Sequence, residues 1–188
     1  MSCTGSGGGR IQGLAAAVLV GNGFEKRGSD AARDPTDGAD APTRVARLLA
    51  TLFEEVLLVG DNPPADAPGR RVPDVEGPPC PLRGLVSALE AADAERVLVV
   101  AGDLPLVNAD LLLALFAWPE ADAVVPRTGD GAHPLCALYR REAVFTVARS
   151  RLAAGDLKLH DLLDVLDTSY LVEADLVSID PERAARRS

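Results

Sequence analysis

The chain is short of the residues that build disulfide frameworks and soft-metal sites. It has 3 cysteines and 2 histidines in 188 residues. Cys3, Cys80 and Cys136 are odd in number and lack a C-x-x-C spacing, and His133 and His160 are too few to stand in for thiolates, so neither a disulfide scaffold nor a zinc site is supported. Positive charge is scarce as well. A formal net charge of -9 and a pI near 4.7 exclude an extended nucleic-acid-binding face, which needs clustered Lys and Arg, but leave room for a local pocket for a small phosphate ligand. No apolar run approaches the roughly twenty residues that cross a bilayer, and the Gly/Ser-rich start lacks the charged-then-apolar layout of a signal peptide. The expected location is the cytoplasm, with no membrane and no nucleic-acid partner.

What is present, 47% hydrophobic and 25% charged residues, suits one compact domain with a sizeable core. Residues Met1 to Arg10 read as a flexible leader, because Gly7, Gly8 and Gly9 precede the first strand rather than follow it, and residues 11–188 read as a single domain. Leu14 to Val20 predicts a buried strand that breaks at Gly21-Asn22-Gly23, followed by a loop to Pro42. Val45, Leu48, Leu49 and Leu52 recur at helical spacing, and Val56 to Val59 gives the next strand. Asp61 to Pro81, dense in Pro, Gly and Asp, reads as mostly irregular. Leu82, Leu85 and Leu89 mark a second helix, and Asn108 to Ala117 a third. Ala123 to Val125 and Pro134 to Tyr139 read as strands around the Gly129-Asp130-Gly131 turn, a hairpin or a mixed sheet edge. Val144, Ala148 and Leu152, then Leu159, Leu162, Leu163 and Leu166, predict two amphipathic helices. Leu176 to Ile179 supplies a last strand. Alternation of strand and helix predicts an α/β three-layer sandwich with a mainly parallel sheet.

Val97 to Pro105, reading Val-Leu-Val-Val-Ala-Gly-Asp-Leu-Pro, carries most of the functional information. An unbroken apolar run delivers one carboxylate, Asp103, to the end of a strand, where open α/β sheets place their ligand crevice. Such an acid can hold a divalent metal or cap the next helix; Asn108 and Asp110 are better placed to cap, which favours the metal. The turn Gly21-Asn22-Gly23 lets backbone N–H groups approach an anion, with Lys26 and Arg27 either neutralising it or simply solvated. Asp74, and the Pro81-Leu82-Arg83-Gly84 turn into a helix, face a nucleotide or form an ordinary helix start with a surface arginine. His133, fixed beside Pro134, reads as structural before catalytic. Asp180-Pro181 brings a second carboxylate to the crevice or starts a final helical turn.

In this order, the strand ending Gly-Asp-Leu-Pro, the block His-Pro-Leu-Cys-Ala-Leu-Tyr-Arg-Arg from His133 to Arg141, and Gly155 to Leu163 resemble the molybdenum cofactor guanylyltransferases, MobA-like nucleotidyltransferases. The likeness runs from about Leu14 to Glu182. It implies a Rossmann-like, nucleotide-diphosphosugar-transferase-like domain that transfers GMP from GTP, with Mg²⁺, to the phosphate of a molybdopterin-type acceptor. It also implies proteins of molybdoenzyme maturation as partners. Carried onto this sequence, the resemblance places Leu19, Val20, Gly21, Asn22 and Gly23 in the nucleotide loop and Asn62 and Asp74 near base and ribose. Pro81, Leu82 and Gly84 fall in the glycine turn, and Asp103, with Asp180 as a second carboxylate, at magnesium. The family's loop reads Leu-Ala-Gly-Gly, then Arg-Met-Gly and a lysine; here Leu19-Val20-Gly21-Asn22-Gly23 has no matching Met or lysine, leaving Lys26, Arg27 or Arg33 to supply the charge on the transferring phosphoryl group. That departure keeps two alternatives in play: a non-catalytic relative that binds a cofactor or protein, and a transferase for another nucleotide or acceptor.

Overall fold

In a computed structural model of the chain, which describes residues 11–21, 39–104, 108–172 and 175, the first apolar run forms strand β1 (Ile11–Leu19). Helix α1 (Ala41–Leu52) follows, capped by Asp40, whose carboxylate accepts from the Thr43 N–H at 2.9 Å. It passes without a loop into β2 (Phe53–Val59). Strand β3 (Arg70–Val72) and helix α2 (Pro81–Ala91) come next, then β4 (Arg96–Ala101) and α3 (Ala109–Ala117). Asn108 caps α3, accepting from the Leu111 N–H at 3.0 Å, so the cap predicted from sequence is formed and Asp103 is not spent on it. The remaining elements are β5 (Ala123–Thr128), β6 (Gly131–Ala132), β7 (Cys136–Arg140), α4 (Arg141–Ala154), α5 (Leu159–Leu163) and β8 (Thr168–Val172).

All strands join one 8-stranded sheet in the order β3-β2-β1-β4-β7-β5-β6, with β8 beside β5. β3, β2, β1 and β4 are mutually parallel, whereas β7 runs antiparallel to both β4 and β5. Period-two alternation divides the core into two layers. Ala15, Ala17, Leu57, Val59, Val97 and Val99 face α2, α4 and α5; Ala16, Val18, Val56, Leu58, Leu98 and Val100 face α1 and α3. The α/β three-layer sandwich with a mainly parallel sheet is therefore the architecture. Val144, Ala148 and Leu152, read from sequence as one helical stripe, are the three buried residues of α4.

Several local expectations need correction. Asp61 to Pro81 is mostly irregular, as expected, but holds one short strand not read from sequence: Val72 is buried and β3 pairs with β2 along Leu57 to Val59. The strand read as Pro134 to Tyr139 begins at Cys136, with Pro134 and Leu135 in a turn, and the hairpin at Gly129 to Gly131 joins β5 to the two-residue β6. Helix α5 stops at Leu163, so Leu166 packs from the turn beyond it. β8 was not expected; it is docked by its parallel pairing with β5 and by the Trp118 Nε1–H, which donates to Ser169 Oγ at 2.7 Å. Leu176 to Ile179 lies outside the described residues.

Strand β7 buries two titratable side chains. The Tyr139 hydroxyl donates to Pro134 O at 2.7 Å, and its burial raises the phenol's pKa. Burial pushes the Cys136 thiol from its ordinary 9.0 up to about 12. Both groups keep their protons when folded and lose them more readily when unfolded, so the stability tied to their burial is full below the unfolded value and is lost as pH climbs through the folded one. Denaturant titrations of wild type and Cys136→Ala at about pH 8 and about pH 10.5 are expected to show a smaller alkaline loss in the variant; equal losses would remove the thiol from the account.

Candidate active site

The register of the parallel strands sets up the site. Leu19 pairs with Val59 and with Ala101, and Val59 pairs with Val72, so β1, β2, β3 and β4 end in one row. Two residues past that row come Asp74, Asp61, Gly21 and Asp103, in strand order across the carboxyl edge. The strands carrying Asp74 and Asp103 are three spacings apart, on the order of 14 Å at ~4.8 Å per strand. The two carboxylates therefore serve separate groups.

Close backbone contacts make this edge a concave surface. The Val20 N–H donates to Val59 O at 2.7 Å, the Gly60 N–H to Val72 O at 3.0 Å and the Gly102 N–H to Leu19 O at 3.0 Å. Gly60, at φ 140°, has no room for a side chain, since a Cβ there would stand 2.3 Å from Val20 O. Gly84 lets the first turn of α2 sit against Leu19, whose Cδ1 would be 3.2 Å from an added Cβ.

The resulting cleft encloses about 350 Å³. Eight residues named from sequence line it: Leu19, Val20, Gly21, Asp74, Pro81, Arg83, Gly84 and Asp103. Leu82 does not, because it is fully buried in the core while Pro81 beside it faces the cleft. Asn62 is exposed on the loop after β2, outside the lining. Asn22, Gly23, Lys26, Arg27, Arg33 and Asp180 lie outside the described residues. Sequence reading did not assign Pro42, Val59, Pro79, Cys80, Ala101, Gly102 and Leu135 to the cleft, and their backbone or apolar side chains complete the walls. Most carry no chemical signal, and only the fold brings them together.

Asp74 and Arg83 form the polar end. Arg83 Nη2 donates to Asp74 Oδ2 at 2.7 Å and Nη1 to Gly77 O at 3.3 Å. Ser87 Oγ lies 3.3 Å from Asp74 Oδ1, donates to Arg83 O at 2.8 Å and accepts from the Val75 N–H at 2.9 Å. This network ties the loop after β3 to the first turns of α2. Asp103 stands at the other end, exposed and bonded to none of the described residues. No group of three or more potential metal ligands occurs among the described residues. A single carboxylate with no partner among the described residues fits magnesium, which takes one or two carboxylates and completes its shell with ligand oxygens and water. It does not fit a metal that demands an all-protein cage.

A second hollow of about 450 Å³ adjoins the first, sharing Pro81 and Leu135. His133, Lys158 and His160 line it among apolar neighbours that include Leu104, Leu157 and Leu159. The His133 Nε2 is bonded to Thr128 Oγ1 at 2.8 Å, consistent with the structural part expected for it.

A cleft across the carboxyl ends of parallel strands, with a carboxylate at each end, defines an α/β protein of the nucleotidyltransferase fold. Residues 13–170 match the MobA-like NTP transferase domain. The chain belongs to that family and is a nucleotidyltransferase of the molybdenum cofactor guanylyltransferase-like type. Among its relatives, the probable molybdenum cofactor guanylyltransferase of Chloroflexus aggregans is 33% identical over 156 residues, covering 78% of this chain and 74% of that protein. The molybdopterin-guanine dinucleotide biosynthesis protein A of Archaeoglobus fulgidus has a similar structure, with a TM-score of 0.70 and 21% identity, covering 89% of this chain and 88% of that one. The 4-diphosphocytidyl-2C-methyl-D-erythritol synthase of Anaerococcus prevotii shares the fold at a TM-score of 0.60 and 13% identity, with 91% and 96% covered. No helix among the described residues is long and apolar enough to cross a membrane.

Proposed function

We propose that this protein transfers GMP from GTP to the phosphate of a molybdopterin-type acceptor and releases pyrophosphate. The observation that carries the reading is the cleft itself: Asp74 and Asp103 sit at its two ends, a separation that suits a nucleoside at one and its phosphates at the other. The adjoining hollow, apolar but edged by His133, Lys158 and His160, suits a flat heterocycle bearing a phosphate. The acceptor phosphate attacks the α-phosphorus in line, the bond to the pyrophosphate leaving group breaks, and no covalent enzyme intermediate is needed. Asp103 is the residue that would hold Mg²⁺, and the ion would supply neutralisation of charge on the phosphates. The wall residues Leu19, Val20 and Gly21 hold donor and acceptor in register, so positioning supplies much of the rate. The reaction belongs to the cytoplasm, and the product passes to proteins of molybdoenzyme maturation.

The test is calorimetric titration with GTP, CTP, ATP and UTP, with and without Mg²⁺, followed by pyrophosphate release on adding molybdopterin. Metal-dependent binding with a preference for GTP is the expected result. A clear preference for another base assigns a different donor, and silence towards all four favours a binding module.

A further inference from the structure

Arg83 reaches two carboxylates, and only one of them lines the cleft. Its Nη2 is 2.7 Å from Asp74 Oδ2 and 3.7 Å from Asp61 Oδ2. The Arg83 and Asp74 side chains keep 15% and 13% exposure, whereas Asp61 keeps 56%. With Ser87 Oγ 3.3 Å from the other oxygen, both sides of the Asp74 carboxylate are occupied. A nucleoside that hydrogen-bonds this carboxylate therefore competes with Arg83 and Ser87 for its oxygens and weakens the hold of Asp74 on the guanidinium. A guanidinium mostly withdrawn from water cannot be left unpaired without a large penalty, and Arg83 Nε is already buried with no partner. Asp61 stands one strand over, at the same offset beyond the sheet edge, ready to receive it.

We infer that Arg83 is a positioning residue that moves between two carboxylates, paired with Asp74 as seen here and with Asp61 once a nucleoside engages Asp74. Asp61 thereby contributes to nucleotide binding from outside the cleft. This inference rests on the nucleotide reading of the cleft.

The sign of one substitution separates this exchange from plain electrostatics. Removing a negative charge near a polyphosphate site tightens binding if the charge only repels the ligand. The exchange demands the reverse: Asp61→Asn is expected to weaken binding about three- to fivefold, the scale of an exposed ion pair. In an Arg83→Ala background the same substitution is expected to cause no loss, and Arg83→Lys should restore part of it. The measurement is calorimetry of the full chain with Mg²⁺ and the tightest-binding of the four ribonucleoside triphosphates, on wild type, both single variants, the double variant and the lysine variant. Melting temperatures confirm that each is folded. Equal or tighter binding by Asp61→Asn, or the same loss in both backgrounds, overturns the exchange and leaves the cleft assignment standing. Failure of wild type to bind any of the four overturns both.

Discussion

Asp103→Asn is expected to lower turnover by at least ~100-fold, the scale on which removal of one charge-stabilising group acts in a phosphoryl or acyl transfer site. The substitution keeps the size and shape of the side chain and removes its charge. Asp103 is exposed beyond the end of β4 and bonded to none of the described residues, so none of their packing depends on that charge. The variant's unfolding free energy should therefore match wild type within the range of a neutral surface substitution, about 0.5 kcal/mol. The informative readout is the split between kinetic constants. A carboxylate that holds magnesium on the transferring phosphates acts mainly on kcat, and raising the magnesium concentration should recover part of the lost rate. A variant with normal turnover, or one whose loss is matched by a fall in stability, would take the metal away from Asp103.

The second large effect belongs to a residue with no side chain. Gly60→Ala is expected to cost about 2–4 kcal/mol, because a φ of 140° is strained for any L-residue and the new Cβ would press on Val20 O at 2.3 Å. Relief requires moving the end of β1 away from β2, which breaks the 2.7 Å bond from the Val20 N–H to Val59 O and shifts a wall of the cleft. Nucleotide affinity should fall together with stability. Gly129→Ala is the control: a Cβ there meets nothing within 4 Å, and that substitution should be neutral or slightly stabilising. Denaturant melts of the two variants, with nucleotide titrations of each, test the pair. Similar behaviour of the two would mean that the β1–β2 contact at Val20 does not constrain the edge.

The ease of reading Asp103 and the difficulty of reading Arg83 have the same physical origin. Asp103 announces itself locally, as the first charge after an apolar run, and a strand end is where an α/β sheet meets its ligand. The role of Arg83 depends on a carboxylate nine positions earlier across a chain reversal, which periodicity does not encode. The family resemblance carries Leu82 to the cleft along with Pro81 and Gly84, but a helical step of one residue turns its side chain into the core. β3 escaped notice because Arg70-Arg71-Val72 offers one buried side chain and exists only by pairing with β2. β8 escaped for a similar reason, since only Leu171 of its five residues is fully buried. The apolar runs Leu14 to Val20, Val56 to Val59 and Val97 to Val100 are legible as buried strands because every residue of them packs into one core layer or the other.

Strand β3 also bears on how the protein behaves in a crowded solution. An outermost strand offers unpaired amides to any neighbouring chain, and proteins blunt such margins with short strands and charge. Here the margin is three residues long and begins with two arginines, each folded back onto its own chain. Arg70 donates to Glu55 Oε1 and to Ala91 O, both at 2.7 Å, and Arg71 reaches the carbonyls of Pro63, Pro64 and Ala65. A margin this short, with two charged residues among its three, offers a second copy little strand to pair with. Self-association of this protein is thereby steered away from strand addition at β3, and the long apolar strands within remain shielded from aggregation.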